Sequence, residues 1–215
     1  MSEFTVVDIE TVPNSDMISK LPEPDVKYGN TKDPDKRAAK LAEAKVDQVK
    51  KMALSPLYGR VCSVATMVDD VSSCVIDNVD SDEKERALLE TVADKIFKSP
   101  LPICTWNGMN FDIPFFYKRA LILGVKISVS LPYWMKRYTN IPHCDLMQVW
   151  CNWFGYEKLD NVASVLLNDV KIDFDVTTIK DLIKTPEGIK DVECYNIQDV
   201  ILTNGILNKV NHILI

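Results

Sequence analysis

The chain has 215 residues, 47% of them hydrophobic, and a formal net charge of −6. That length is a prior for one domain, with room for an insertion. The acidic balance argues against nucleic-acid binding through bulk charge, although metal ions could supply positive charge locally.

No apolar run reaches the roughly 18 residues a membrane span needs, and the N-terminus lacks a basic-then-apolar signal, so a cytoplasmic protein is expected. Six cysteines, at 62, 74, 104, 144, 151 and 194, are scattered without a C-x-x-C pair. This suits reduced core thiols better than a disulfide framework or a zinc site.

The first predicted element is a strand over Phe4–Thr11, where Phe4, Thr5, Val6, Val7 and Ile9 suit burial on both faces. Asp8 and Glu10 lie near its end, and Pro13-Asn14 stops it. Residues i and i+2 of a strand share a face, so the two acids project together. Side by side they repel each other and lose hydration unless a cation lies between them. The pair alone leaves two readings open: a metal-holding site, or a strand end running into water.

Residues 13 to 35 read as a long irregular connection. Residues 35–54 then predict an Ala-rich helix with a stripe of Ala38, Leu41, Ala42, Val46, Val49 and Ala53. Lys36, Arg37, Lys40, Lys45, Lys50 and Lys51 occupy its other face, either as a solvated surface or as a cationic arm beside a polyanion. The stretch at about 14–54 is thus a charged loop-helix insertion.

Arg60–Val68 and Ser73–Asp77, joined by Asp69-Asp70, predict a hairpin that continues the first strand as an antiparallel meander. Ser81-Asp82-Glu83-Lys84 opens a helix bearing Ala87, Leu88, Val92 and Ile96 on one face, closed by Ser99-Pro100. Leu101–Trp106 is a short apolar strand, and the strand–helix–strand order favours parallel pairing. Phe111–Leu123 reads as a helix ended by Gly124, and Val125–Val129 as a last short strand. Further helices are expected over Leu146–Trp153 with Asp145 as N-cap, Lys158–Leu167, Thr178–Lys184 and from Pro186 to about Val210. The expected fold class is α/β, a mixed sheet of antiparallel meander and parallel strands flanked by helices.

Two further acidic stretches stand out. In Trp106-Asn107-Gly108-Met109-Asn110-Phe111-Asp112, Asp112 begins a helix, where it either caps the helix or faces the sheet edge. Asn107 either holds the turn or touches a substrate. On the last helix Tyr195 and Asp199 are spaced i, i+4, and Ile197, Val200 and Ile201 surround the acid with apolar neighbours. Tyr195 alone could equally be a core aromatic.

D-x-E, then N-x-x-x-F-D, then Y-x-x-x-D, in that order, resemble the DEDD exonuclease superfamily in its tyrosine-bearing (DEDDy) branch. Ser55-Pro-Leu-Tyr-Gly-Arg-Val and Lys158-Leu-Asp-Asn-Val-Ala are similar to stand-alone predicted 3′–5′ exonucleases related to the exonuclease domain of family-B DNA polymerases. The likeness runs from about residue 4 to 207. The histidine branch carries a His five residues before the last Asp; here that position is Cys194, and the two histidines, His143 and His212, lie elsewhere.

The resemblance implies a ribonuclease H-like fold and two divalent ions, Mg or Mn, held by Asp8, Glu10, Asp112 and Asp199. Tyr195 would orient the attacking water. The activity implied is removal of nucleoside 5′-monophosphates from single-stranded DNA 3′ ends. RNA is the second candidate substrate, through an exoribonuclease of the same superfamily, and a catalytically silent nucleic-acid-binding module is the third reading. Four acids are hard oxygen ligands, which suits these ions rather than zinc. Asn107, Phe111 and Thr11 are the expected substrate-binding residues, with core packing the expected role of Phe115. Lys118-Arg119 and Lys136-Arg137-Tyr138 are candidate phosphate contacts or plain surface.

Overall fold

A computed structural model describes residues 4–127 and 129–214. Five strands form one sheet in the order β3-β2-β1-β4-β5. The central strand β1 (Thr5–Pro13) pairs antiparallel with β2 (Gly59–Val68), which pairs antiparallel with β3 (Val71–Ile76). On its other side β1 runs parallel to β4 (Ile103–Thr105), and β4 parallel to β5 (His143–Asp145). This mixed sheet flanked by helices is the α/β architecture expected, with the meander and the parallel pair in their expected places.

The hairpin joining β2 and β3 turns on Asp69 and Asp70, whose φ values of 48° and 62° are those of the tight turn matching sheet twist. The loop-helix insertion comprises a 3-10 turn at Ser15–Lys20, an extended return, helix α1 (Pro34–Lys51) and a second 3-10 turn at Met52–Leu54. Asp33 caps α1, with Pro34 in the first turn where a missing amide is harmless. No residue of α1 is buried; Leu41 and Val49 are half-covered, whereas Ala38, Ala42 and Val46 of the expected stripe face water. The extended return packs back onto it instead, with Arg37 over the Tyr28 ring at 4.4 Å and Gln48 donating to the Pro22 carbonyl.

Helices α2 (Asp82–Phe97) and α3 (Asp112–Leu123) cover one face of the sheet, burying Val92, Ile96, Phe115 and Phe116 against Val7, Ile9 and Val61. The short α4 (Leu131–Trp134) and α7 (Ile179–Leu182) complete that layer through Trp134 and Ile179. The opposite face packs Val6, Ala65 and Cys104 against α5 (Leu146–Trp150), α6 (Leu159–Leu166) and the long α8 (Pro186–Val210). Because side chains alternate along a strand, Val7 and Ile9 enter the first layer while Asp8 and Glu10 are turned toward α8.

Two expectations are corrected. Val125–Ile127 and Val129 form no strand, Ser128 lying outside the described residues; the fifth strand is His143–Asp145, too short to give a period-2 signal. The helix expected to reach Trp153 ends at Trp150, because Asn152 and Trp153 take positive φ values of 51° and 67°. No helix among the described residues is long and apolar enough to cross a membrane.

Candidate active site

The acids gather where the central strand outruns its neighbour. β1 pairs with β4 only through Thr5 and Val6, so farther along its edge the Ile9 amide has no strand partner. Asp112, at the first turn of α3, supplies the missing acceptor: the Ile9 N–H donates to its Oδ1 at 3.1 Å. A carboxylate thereby reaches back over the sheet edge from a helix N-terminus, beside the strand that carries Asp8 and Glu10. Open α/β sheets bind ligands at such reversals of strand connection, beyond the carboxyl ends of the strands.

The turn before α3 is held open by Asp145. Its two carboxylate oxygens accept the amides of Asn107 (3.0 Å) and Met109 (2.9 Å), while it also caps α5 through the Gln148 amide. Asn107 sits at a φ of 67°. Gly108 follows because a Cβ there would meet Thr105 Oγ1 at 2.2 Å. The Asn107 side chain accepts from Asn110 at 2.8 Å, so turn-holding is its visible role.

From the other side, one face of α8 brings Tyr195, Asn196 and Asp199 against the strand. One oxygen each of Asp8, Glu10 and Asp199 lie within 4.8 Å of one another. Asn196, fully buried, donates from Nδ2 to Asp8 Oδ2 at 2.6 Å and accepts at Oδ1 from the Ser63 hydroxyl at 2.7 Å. Ser63 lies opposite Glu10 on β2, so the sheet itself orients Asp8 through this relay. Asp112 stands outside the tight trio but close enough to raise the Asp8 carboxyl by charge repulsion.

Lys171, on the irregular segment between α6 and α7, donates to Asp199 Oδ2 at 2.6 Å and to the Tyr195 hydroxyl at 2.9 Å. Its ammonium also lies 4.6 Å from the Tyr195 ring centroid, and Phe174 stacks on that ring at 4.5 Å. The phenol is therefore fixed in position and direction.

Electrostatically the cluster is strained. Burial, then repulsion from Asp112, Asp199 and Glu10, pushes the Asp8 carboxyl well above its ordinary range. Burial and Asp199 push Glu10 up to about 8, and burial pushes Asp112 up to about 7. Asp199 is raised by burial against the pull of Lys171. Burial and Asp199 lift the Tyr195 phenol to about 12, so it is no base at neutral pH. Burial alone would lower Lys171; the charge and hydrogen bond of Asp199, with Tyr195, hold it above its usual value.

A divalent cation fits this donor set. The oxygens are hard ligands, Lys171 offsets part of their mutual repulsion, and Asp199 Oδ1 is buried with no hydrogen-bond partner among the described residues.

Beside Glu10 a cleft of about 480 Å³ opens between β1, the C-terminal end of α1 and the segment entering α7. Thr11 and Phe111, expected to touch substrate, both line it. The Thr11 hydroxyl is engaged by the Ala53 carbonyl at 2.6 Å, which ties the insertion to β1. Phe115 is core, packed under Phe111 at 5.4 Å.

Arg119 is no phosphate contact. It is 2% exposed and grips Glu85 with two hydrogen bonds, of 2.9 and 2.6 Å. Lys136, Arg137 and Tyr138 are exposed surface. Sequence reasoning missed Lys171 and Asn196. The asparagine adjoined a residue already singled out and shares its helix, whereas nothing local marks the lysine.

The solved family B DNA polymerase from the hyperthermophilic archaeon Pyrobaculum calidifontis matches 96% of this chain with a TM-score of 0.61 at 16% identity. The chain spans 24% of that polymerase, and at this identity the likeness shows the fold alone, a ribonuclease H-like mixed sheet flanked by helices. No curated protein matches the chain. A family model described as "Predicted 3'-5' exonuclease related to the exonuclease domain of PolB" matches residues 54–213, beginning at the last residue of the insertion, after β1. On that match the chain belongs to the family of predicted 3′–5′ exonucleases related to the polymerase-B exonuclease domain.

Proposed function

We propose that this exonuclease removes nucleotides one at a time from the 3′ end of single-stranded DNA, by the tyrosine-bearing mechanism. The observation that carries the reading is the convergence of Asp8, Glu10 and Asp199 to within 4.8 Å, with one buried Asp199 oxygen unpaired among the described residues. Asp8, Glu10, Asp112 and Asp199 would hold two divalent ions, Mg or Mn, whose chemistry is to lower the pKa of water and stabilise charge on the leaving 3′ oxygen.

Asn196 fixes the Asp8 carboxylate through its hydrogen bond, and Lys171 holds Asp199 and the phenol. With its proton retained, Tyr195 acts as a hydrogen-bonding group that aligns the attacking water rather than as a base. The water oxygen forms a bond to phosphorus while the bond to the penultimate 3′ oxygen breaks. The products are a nucleoside 5′-monophosphate and a strand shorter by one nucleotide with a new 3′ hydroxyl. Most of the rate enhancement then comes from positioning and charge stabilisation.

The test is chromatography of the products from matched DNA and RNA oligonucleotides. Nucleoside 5′-monophosphates released from DNA in preference to RNA are expected. Faster release from RNA would make the protein an exoribonuclease; nucleoside 3′-monophosphates would overturn the scheme.

A further inference from the structure

Of the hydrophobic side chains of the insertion only Met52, in the 3-10 turn after α1, is buried, so packing does not explain the helix itself. Helix α1 buries none of its residues, yet it is capped, braced by the chain that returns along it, and followed by a 3-10 turn that Thr11 ties to β1 through the Ala53 carbonyl. Its last turn forms one wall of the cleft beside Glu10. The other side is lined by the turn before α7 and by α7 itself, with Val176 and Lys180. The Asp175 carboxyl, held low by its hydrogen bonds from Thr177, is lowered further by the Lys50 charge from the end of α1.

Three features decide what the cleft takes. First, it is continuous with Glu10, so an occupant's end lies at the acid cluster. Second, its lining includes the apolar side chains of Val49, Leu54, Phe111 and Val176, of which Leu54 and Val176 remain 66% and 48% exposed. Third, Lys50, Lys51 and Lys180 stand on it against the acids Glu10 and Asp181. Lysines beside an apolar, aromatic-bearing groove match the alternation of phosphates and bases in an unpaired strand. The volume of about 480 Å³ falls within the roughly 300–1,000 Å³ of ligand cavities.

We infer that the α1 insertion is the strand grip of this exonuclease: the cleft takes bases of the unpaired 3′ end, and Lys50 and Lys51 hold their phosphates. The inference rests on the nuclease reading above and deepens it, because it names residues that set the demand for an unpaired end. A base inserted between α1 and the α7 segment has left its complementary strand, so a blunt duplex is excluded. The Lys36 and Lys40 side chains, near the other end of the same helix, serve as the internal control.

The experiment measures anisotropy of a 5′-fluorescein-labelled oligothymidylate in calcium buffer over a series of KCl concentrations. Each phosphate contact on a single strand contributes about 0.7 to the slope of log K against log salt. The Lys50→Ala/Lys51→Ala variant is therefore expected to flatten the slope by about 1.4 and weaken binding, whereas Lys36→Ala/Lys40→Ala keeps the wild-type slope. Both pairs are exposed and alanine favours helix, so folding is not at issue. A wild-type slope in Lys50→Ala/Lys51→Ala overturns the grip while leaving the nuclease reading standing. A wild-type protein that neither binds nor shortens single strands overturns both.

Discussion

The relay from Ser63 through Asn196 to Asp8 makes a quantitative claim. Asn196→Ala removes the 2.6 Å hydrogen bond to Asp8 Oδ2 and the acceptor of the Ser63 hydroxyl. Hydrogen bonds to charged groups contribute about 1.5–3 kcal/mol. If that energy is spent holding Asp8 in its reactive direction, kcat falls by roughly 10- to 150-fold. The folding cost is smaller, about 1 kcal/mol, because the Ser63 hydroxyl keeps its Cys74 contact at 3.1 Å. Asn196→Asp keeps an acceptor for Ser63 but sets a second anion against Asp8, and its loss exceeds that of the alanine variant. The assay is steady-state cleavage of a labelled single strand at saturating divalent ion, with urea unfolding alongside. A drop in kcat at constant KM is predicted. An Asn196→Ala enzyme with wild-type kcat would refute the relay.

Three further outcomes follow from the same geometry. Lys171→Met removes both the cation on Asp199 and the donor to Tyr195, so kcat is expected to fall by at least about 10-fold, with partial recovery in Lys171→Arg; a wild-type kcat in Lys171→Met would show that the contact is incidental. Arg119→Met strands the buried Glu85 carboxylate and is expected to cost about 3–5 kcal/mol in urea unfolding, much of it regained in Glu85→Met/Arg119→Met; a loss under 1 kcal/mol, taken as roughly the value of a surface pair, would argue against it. The third concerns pH without metal. Glu10 and Asp112 hold protons to about 8 and about 7 when folded, against 4.5 and 3.8 ordinarily. The folded state thus binds more protons across that window, so in EDTA stability falls as pH rises through it and levels off above. Saturating magnesium is expected to flatten this fall; an EDTA melting temperature rising with pH over the same range would contradict the clustering.

Much of this site was legible because its acids sit in regular elements. Strand alternation sufficed to place Asp8 and Glu10 on one face, and helical spacing to put Tyr195 and Asp199 on another. Asp112 was visible as the first residue of a helix after a strand. What escaped depends on contacts between elements distant in sequence. Lys171 lies on an irregular segment with no period, so its approach to Asp199 is a product of how that segment folds back over α8. Arg119 reads as a surface cation beside Lys118, yet its helix turns it inward to Glu85, 34 residues earlier. The strand His143–Asp145 is three residues long, below the length at which alternation can show. The stripe of α1 was overread because an amphipathic pattern does not say how much of it finds a partner.

The central claim is that the acid cluster is a metal-dependent 3′-end hydrolase. Its most direct test is digestion of a 5′-labelled single-stranded DNA with magnesium or manganese, beside EDTA and Asp8→Ala. The account predicts a ladder shortening from the 3′ end that requires the metal and disappears in the variant. A full-length strand under every condition, or an identical ladder from Asp8→Ala, would contradict it.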